Sequence, residues 1–329
     1  MATRKDVAEL AGVSPSMVSY VINNSGYVSQ KKREAIWDAI EKLQYRPNMV
    51  ARSLKVKSSK QLVLICNEIR NPFHAEITYQ MAKKAYEKGY ILLFCNVIND
   101  PKYIETICSY QVDGVFVVAD KLSEAQVNKI AGYGIPVVSL VNMRWSNLDE
   151  RITKIDMDTY NGMSNMIAYL IERGHTNIKY ISSCPSKKLK KYDGKIVGYI
   201  EQMQKAGLPL SSDSVLYDES NGDSLYEKLH KMFVTDTLPT AFACCNDSVA
   251  ISTMHILKGF GKRIPDDISV TGFDDTRIAQ EVFPALSTVN ISIKQISQVA
   301  VDAMINKIQG MDVGDIRVKT GLVIRGSTN

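Results

Sequence analysis

The chain has 329 residues, of which 45% are hydrophobic and 23% charged, a composition that suits a globular protein of two or three domains. It excludes a disordered chain, a collagen-like repeat and a small disulfide scaffold, and no run of about 18 apolar residues predicts a membrane span. The net charge of +5 is uneven, because residues 1–60 carry +6 and the remainder carries −1. We therefore expect the N-terminal segment to bind a polyanion.

Two short helices joined by a tight turn are predicted at the N-terminus. Thr3 and Asp6 form a capping box for the first helix, over residues 4–11. Ser14 caps the second helix and Pro15 takes its first position, where a missing N–H costs nothing. With a third helix behind them, they predict a helix-turn-helix whose second helix enters a major groove. The polar face of that second helix consists of Ser16, Met17, Ser19, Tyr20 and Asn23.

The third helix begins after Ser29 with an unusual charge pattern. Lys31, Lys32 and Arg33 occupy its first turn, where the helix dipole disfavours cations. Phosphate groups of DNA would remove that penalty. A solvated charge run beside Glu34 is the alternative interpretation.

A fourth, isolated helix is predicted over residues 47–54, because Pro47 ends the preceding helix at Arg46 and can open a new one. Eight residues are too few to be stable alone, so this helix must dock to form. Leu54 is a solitary apolar residue before the basic linker 55–60. It either packs on a core or acts as a minor-groove wedge that bends the duplex.

Residues 61–329 alternate between apolar runs of strand length and helical segments. The predicted strands span residues 61–66, 91–95, 114–118, 136–141, 152–157, 178–181, 215–217, 241–245 and 268–273. The clearest helices span residues 75–88, 162–173, 249–259 and 293–309. Continuous apolar strands separated by helices indicate buried parallel sheets built from βαβ units. The length of this body favours two such subdomains.

Asn and Asp residues follow the predicted strands at their carboxyl ends, where open α/β sheets bind ligands. They are Asn67, Asn71, Asn142, Asp158, Asp218, Glu219 (the one Glu), Asn246, Asp247, Asp274 and Asp275. A rim of this kind suits a small polyhydroxylated or polar molecule. Each residue has a purely structural alternative, since Asn246 can cap a helix and Asp274 can shape a turn.

Several ordered motifs run through the whole chain. They are residues 5–14, 18–19, 21–23, 45–48 and 51–54 at the N-terminus, and 71–73, 113–114, 134–138, 173–175, 246–247, 265–275 and 286–289 in the body. In these motifs the sequence closely resembles the lactose/galactose-repressor family of bacterial transcription regulators. The resemblance implies a homodimer that reads a palindromic operator in double-stranded DNA, with hinge helices that order on DNA and insert Leu54.

The resemblance also implies which residues contact DNA. This set is Thr3, Ser14, Pro15, Ser16, Met17, Ser19, Tyr20, Asn23, Ser29, Lys32, Asn48, Ala51, Arg52 and Leu54. Tyr20 departs from the family, which usually has Arg at this position. Tyrosine can make one hydrogen bond or pack on a thymine methyl, but it cannot make the bidentate contact of Arg to guanine. We therefore expect an operator that differs from those of better-known relatives.

For the body, the resemblance implies the clamshell fold of periplasmic sugar-binding proteins, with two Rossmann-like parallel-sheet subdomains and an effector between them. The residues expected to bind the effector are Asn71, Phe73, Asp158, Lys195, Asn246 and Asp274. Two departures bear on the effector. Lys195 stands where the family has Arg, and residues 217–221 lack the aromatic on which a sugar ring often stacks. A sugar or sugar derivative is the leading expectation, with a nucleoside or no ligand as alternatives.

These inferences predict a mixed α/β protein with an all-α DNA-binding domain (residues 1–46), a hinge helix and linker (47–60) and an effector-binding body (61–329). Within the body, one subdomain comprises about 61–160 and 292–320, and the other about 161–291 and 321–329. The chain lacks trailing heptads, which favours a dimer over a tail-assembled tetramer.

We expect a regulator, and not an enzyme, that uses no cofactor and no metal. The four histidines show no ligand spacing, and no GxSxG, P-loop or GxGxxG motif is present. The six cysteines lack CxxC spacing and the N-terminus lacks a secretory core, so we expect reduced thiols in a cytoplasmic protein. The alternative is a sugar- or nucleotide-modifying α/β enzyme fused to a DNA-binding segment.

Overall fold

The computed structural model describes residues 2–46, 58–141, 143, 145–183, 193–217 and 224–329. The chain divides into two compact units, Met1–Ser59 and Lys60–Asn329. Several predictions lie outside the described residues, namely the helix over 47–54 with Asn48, Ala51, Arg52 and Leu54, and the rim residues Asn142, Asp218 and Glu219. None of the helices within the described ranges is long and apolar enough to cross a membrane.

The N-terminal unit contains the three predicted helices, α1 (Arg4–Leu10), α2 (Pro15–Ile22) and α3 (Gln30–Lys42). The expected capping box is present, since Thr3 N–H donates to Asp6 at 2.7 Å and Asp6 N–H donates to Thr3 Oγ1 at 3.4 Å. Val7, Val18 and Ile36 are fully buried and form the centre of the core. This core fixes the angle between α1 and α2.

The third helix ends earlier than the sequence predicts. It stops at Lys42, four residues before Arg46, so the proline at position 47 is not what ends it. Gln44 adopts a left-handed φ of 46°, and Tyr45 N–H donates back to Ile40 C=O at 2.9 Å. The helix therefore ends in a left-handed C-terminal cap.

The first lobe of the body is built on a six-stranded parallel sheet. Its strands are β1 (Gln61–Cys66), β2 (Ile91–Asn96), β3 (Gly114–Val118), β4 (Val137–Ser139), β5 (Thr153–Asp156) and β11 (Ile316–Arg317), in the order β11-β5-β4-β3-β1-β2. Its helices are α4 (Pro72–Glu87), α5 (Tyr103–Ser109), α6 (Glu124–Gly132) and α12 (Ile293–Ile308). The apolar runs at β1 and β3 are almost wholly buried, as continuous hydrophobic strands in parallel sheets usually are.

The second lobe repeats this architecture. Its strands are β6 (Ile178–Ser182), β7 (Val215–Tyr217), β8 (Ala241–Cys244), β9 (Ser269–Asp274), β10 (Ser287–Asn290) and β12 (Gly321–Val323), in the order β12-β10-β9-β8-β6-β7. Among these six described strands, β12 alone is antiparallel to its neighbour. Its helices are α7 (Thr159–Glu172), α8 (Gly194–Lys205), α9 (Leu225–Val234), α10 (Asp247–Gly259) and α11 (Arg277–Glu281).

Over the residues that the structure describes, the chain passes between the lobes three times, from β5 to α7, from β10 to α12 and from β11 to β12. The carboxyl ends of the parallel strands in both lobes meet beside these crossovers. The predicted fold class of a helix-turn-helix followed by two parallel-sheet α/β subdomains is confirmed. Strands β10, β11 and β12 are not among the predicted strands, because β11 and β12 are very short and β10 is mostly polar.

Candidate functional site

Helix α2 presents the polar face that the sequence predicts for reading DNA. Val18 and Val21 pack into the core of the N-terminal unit, with at most 2% of their surface exposed. On the outer side, Ser16, Tyr20 and Asn23 are exposed to solvent. Hydrogen-bonding side chains in this position can meet base edges when the helix lies in a major groove.

Some of the expected DNA contacts also support the fold. Thr3 and Ser14 cap α1 and α2, and Met17 packs partly against the core. Ser19 is half-buried and accepts a hydrogen bond from Asn23 at 3.1 Å. The Thr3 and Ser14 hydroxyls lie at helix starts, which is where phosphate groups bind to helical proteins.

The first turn of α3 carries exposed positive charge. Lys31 and Lys32 are exposed, and within residues 2–46 neither forms an ion pair with a carboxylate. Ser29 precedes this turn without making a side-chain cap, and Pro15 is exposed at the first position of α2. The surface beside α2 is therefore suited to a phosphate backbone.

In the body, a cavity of about 140 Å³ lies between the two lobes at the carboxyl ends of their strands. Five of the six residues expected to bind an effector line it, namely Asn71, Phe73, Lys195, Asn246 and Asp274. Other lining residues are Asn67, His74, Val118, Asp120, Leu140, Val141, Met143, Met157, Ser182, Ser183, Asp193 and Cys245. Both lobes therefore contribute to one polar site.

Lys195 lines the cavity, and contacts with the second lobe hold its ammonium in place. Its ammonium donates to the Cys245 carbonyl at 2.7 Å, lies 3.6 Å from Asp274 Oδ1 and sits 3.9 Å from the centre of the Phe273 ring. The side chain is 12% exposed. Lysine here acts as a compact charge that neutralises and positions Asp274, and it lacks the planar fork of arginine.

Burial changes the protonation of several groups around the cavity. It raises the pKa of Asp274 to about 7, against the opposing effect of the Lys195 ammonium. Burial also raises the pKa of Asp193, again opposed by Lys195. The pKa of His74 is lowered by burial, and its Nδ1 lies 2.9 Å from the Glu68 carbonyl. Near neutral pH, Asp274 can therefore either accept or donate hydrogen bonds.

Two asparagines of the cavity also cap helices. Asn71 Oδ1 accepts from Phe73 N–H and Asn246 Oδ1 accepts from Val249 N–H, both at 2.9 Å. The structural alternative considered for Asn246 is thus correct, yet both residues line the cavity. Because the cap uses the oxygen, the amide nitrogen is the group that each asparagine can offer to a ligand.

Asp158 does not line the cavity that contains the other five residues expected to bind the effector. It lines an adjoining cavity with Asp156, Asn161 and Arg317, and that cavity shares Val141 and Met143 with the first. Asp158 has a left-handed φ of 50°, and its carboxylate accepts from Asn161 Nδ2 at 2.6 Å. Asp158 stands two residues after the end of β5 and lines this adjoining cavity, whereas Lys195 and Asp274 line the first.

Two rim residues of the second lobe also face away from the cavity. Asp247 is 1% exposed and accepts hydrogen bonds from Thr276 N–H at 2.7 Å and Thr288 Oγ1 at 2.6 Å. Asp275 pairs with Arg325 at 2.6 Å. Both residues fix the turn after β9, which positions Asp274.

Asp120, Asp193 and Ser183 line the cavity but are not among the residues predicted from the sequence. Asp120 and Ser183 follow β3 and β6 as closely as the predicted residues follow their strands, so the same signal could have found them. Asp193 caps α8, and its backbone pairs with Met143 of the first lobe. That pairing closes one side of the cavity and could not be read from the sequence.

Within the described ranges, no group of three or more His, Cys, Asp or Glu side chains is placed to hold a metal ion. Cys66, Cys244 and Cys245 are buried free thiols. Burial raises the pKa of Cys245 to about 11, which disfavours the nucleophilic thiolate.

Two protein-family models match separate parts of the chain. Residues 3–48 match the model of the lacI family of bacterial regulatory proteins, and residues 167–328 match a periplasmic binding protein-like domain. The HTH-type transcriptional repressor PurR of Actinobacillus pleuropneumoniae serotype 3 is 32% identical over 313 residues, which cover 94% of this chain and 92% of the relative. PurR of Histophilus somni strain 129Pt is 32% identical over 335 residues, which cover 99% of each chain.

Among solved structures, the lac repressor dimer bound to operator and the anti-inducer ONPF superposes with a TM-score of 0.84. It shares 24% identity and covers 99% of each chain. This structural match supports the fold, while the sequence matches carry the family.

Proposed function

Because this chain belongs to the lacI family of bacterial regulatory proteins, we propose that it represses transcription by binding a palindromic operator, and that a small effector sets its operator affinity. In this proposal α2 reads the operator. The effector, a sugar or sugar derivative, occupies the cavity between the lobes.

The observation that carries the proposal is that both lobes contribute walls to one polar cavity beside their three crossovers. A ligand in contact with both lobes favours one arrangement of the lobes over another. It can shift operator affinity only by the difference between its affinities for these arrangements. The predicted hinge residues, including Leu54, would pass that difference to the DNA.

The cavity chemistry supports an uncharged, hydroxyl-rich ligand. Asp193 and Asp274 can accept hydrogen bonds from hydroxyl groups, and the asparagine amides can donate to them. The Phe73 ring offers an apolar wall. The Lys195 ammonium is already engaged by Cys245 and Asp274, so it is poorly placed to bind an anionic group.

A homodimer is part of the proposal, and exposed apolar side chains in the first lobe support it. Tyr79 and Tyr86 of α4 are 62% and 80% exposed, and Ile91 and Leu93 of β2 are 60% and 39% exposed. Strand β2 is the edge of its sheet. Exposed apolar residues around an edge strand are usually covered by a partner.

The test begins with selection of an operator from random duplexes by the full-length protein. A panel of sugars and nucleosides is then screened by thermal shift, since a specific ligand stabilises by RT ln(1 + [L]/Kd). Operator affinity is measured with and without each ligand that raises Tm. We expect a palindromic site and at least one ligand that changes operator affinity. Failure to select any sequence over random competitor would refute the proposal that the protein is a sequence-specific regulator.

Asp274→Ala tests the site. We expect it to remove the response to the ligand while the operator affinity of the free protein stays within about threefold. Asp312→Ala is the matched control, because Asp312 is exposed and does not line the cavity. A normal response in Asp274→Ala would show that the effector binds at another site. Turnover of a panel sugar by the purified protein would favour the enzyme alternative.

A further inference from the structure

The C-terminal end of α2 folds back on itself. Asn24 has a left-handed φ of 47°, Asn24 N–H donates to Val21 C=O at 3.3 Å and Ser25 N–H donates to Tyr20 C=O at 3.0 Å. These two bonds form a Schellman motif, which reverses the chain direction. The reversal brings Gly26, with a φ of 92°, against the aromatic ring of Tyr20.

The contact between Gly26 and Tyr20 is close and face-on. A Cβ atom placed on Gly26 would lie 3.2 Å from Tyr20 Cγ and 3.4 Å from both Cδ atoms. Nearly equal distances to these three atoms show that the ring lies over the glycine rather than edge-on to it. Tyr20 remains 46% exposed, so one face rests on the glycine backbone and the rest of the side chain faces solvent.

We propose that Gly26 is a positioning residue for operator recognition, which rests on the proposed role of α2 in reading DNA. Because it has no side chain, Gly26 lets the ring of Tyr20 lie against the backbone in one orientation. The phenol then meets the same base edge in every complex, either by a hydrogen bond or by contact with a thymine methyl. A side chain that is already ordered loses less conformational freedom on binding.

Gly26 has a natural control in the same unit. Gly12, in the turn before α2, has a φ of 63°, and a Cβ placed on it would meet nothing within 4 Å. Gly12→Ala thus introduces a side chain into a left-handed turn without touching Tyr20. The φ of Gly12 is nearer than that of Gly26 to the region that alanine tolerates, so the two alanine variants differ in backbone strain. Gly26→Asn completes the comparison, because asparagine adopts a positive φ more readily than alanine.

The experiment selects operators from random duplexes with the full chain and its variants. Tyr20→Ala should reduce base preference at one symmetric pair of operator positions. Gly26→Ala and Gly26→Asn should reduce preference at the same positions by about fivefold, the effect of one net hydrogen bond. Gly12→Ala should leave preference unchanged. In a Tyr20→Ala background, Gly26→Ala should add no further loss, because the ring it displaces is absent.

The outcomes separate this inference from the proposed function. If the wild type selects no sequence, the proposed function fails and the inference fails with it. If the wild type selects a site and both Gly26 variants keep its full preference, the inference is wrong while DNA recognition stands. The inference is also wrong if Gly26→Ala reduces base preference as much in the Tyr20→Ala background as in the wild type, because the effect would then not depend on the ring.

A second measurement covers the case in which both Gly26 variants unfold, as judged by circular dichroism. The full chain is labelled with ¹³C-glycine and its α-proton resonances are recorded. The Tyr20 ring should shift the Gly26 resonance upfield in the wild type, free and bound to the selected duplex, and Tyr20→Ala should abolish this shift. Absence of a ring-current shift in the bound wild type would overturn the inference.

Discussion

The buried carboxyl of Asp274 should make the stability of the body depend on pH in an unusual direction. Its folded-state pKa is about 7, compared with an ordinary value of 3.8, because the side chain is buried. Between these two values the folded protein holds a proton that the unfolded chain releases. This group therefore contributes stability at low pH that is lost as the pH rises from about 4 to about 7.

Asp274→Asn removes this titration while keeping the size of the side chain. The displacement of the pKa sets a ceiling of about 4 kcal/mol, at about 1.4 kcal/mol per pH unit. Relaxation of the site and the loss of the carboxylate partner of Lys195 lower this value. As the pH rises from 4.5 to 7.5, we expect the free energy of unfolding of the variant to increase by about 1–3 kcal/mol relative to that of the wild type.

The assay is urea unfolding at pH 4.5, 5.5, 6.5 and 7.5. The chain has two tryptophans, Trp37 in α3 and Trp145 in the first lobe, so a Trp37→Phe background leaves Trp145 to report on the body. Other titrating groups cancel in the difference between wild type and variant. A difference that stays constant over this pH range would refute the reasoning.

Asp275→Asn is the matched control, because the same change is made one residue along the chain. Asp275 pairs with Arg325 at 2.6 Å, and both side chains are largely buried. Its loss leaves the Arg325 charge without its carboxylate, so we expect destabilisation by about 3 kcal/mol. This control therefore measures the cost of leaving a buried cation without its carboxylate, a cost that Asp274→Asn also carries at Lys195.

The remaining predictions concern packing and DNA binding. Gly198→Ala should destabilise the body by about 1–3 kcal/mol in the same urea assay, because its Cβ would lie 2.5 Å from the Tyr160 carbonyl where α8 crosses α7. Gly132→Ala in α6 is the control. Its Cβ would meet nothing within 4 Å, so this substitution should be neutral or stabilising. Leu54→Ala should weaken operator binding and reduce DNA bending in a gel-shift assay, and an unchanged bend angle would contradict the wedge. Operator affinity should fall by about 10³–10⁵ between 50 and 200 mM salt if 6–10 phosphates are contacted, and a flat salt dependence would contradict the proposed phosphate contacts.

Much of the architecture could be predicted because it depends on local patterns. The capping box at Thr3 and the cap at Ser14 begin helices where the sequence places them, since both depend on residues only three positions apart. The strands at 61–66 and 114–118 were found because strands buried on both faces are continuously apolar. The rim of polar residues followed from the rule that parallel strands present their carboxyl ends to a ligand.

What the chain alone determined is therefore the order of its elements, the segregation of positive charge and the family to which it belongs. Only the tertiary structure decided how the side chains of the site face one another. It placed the Lys195 ammonium against Cys245 and Asp274, and it turned Asp158 into an adjoining cavity. These outcomes depend on contacts between residues about 50 to 80 positions apart and on a left-handed backbone at Asp158, and neither leaves a periodic signal in the sequence.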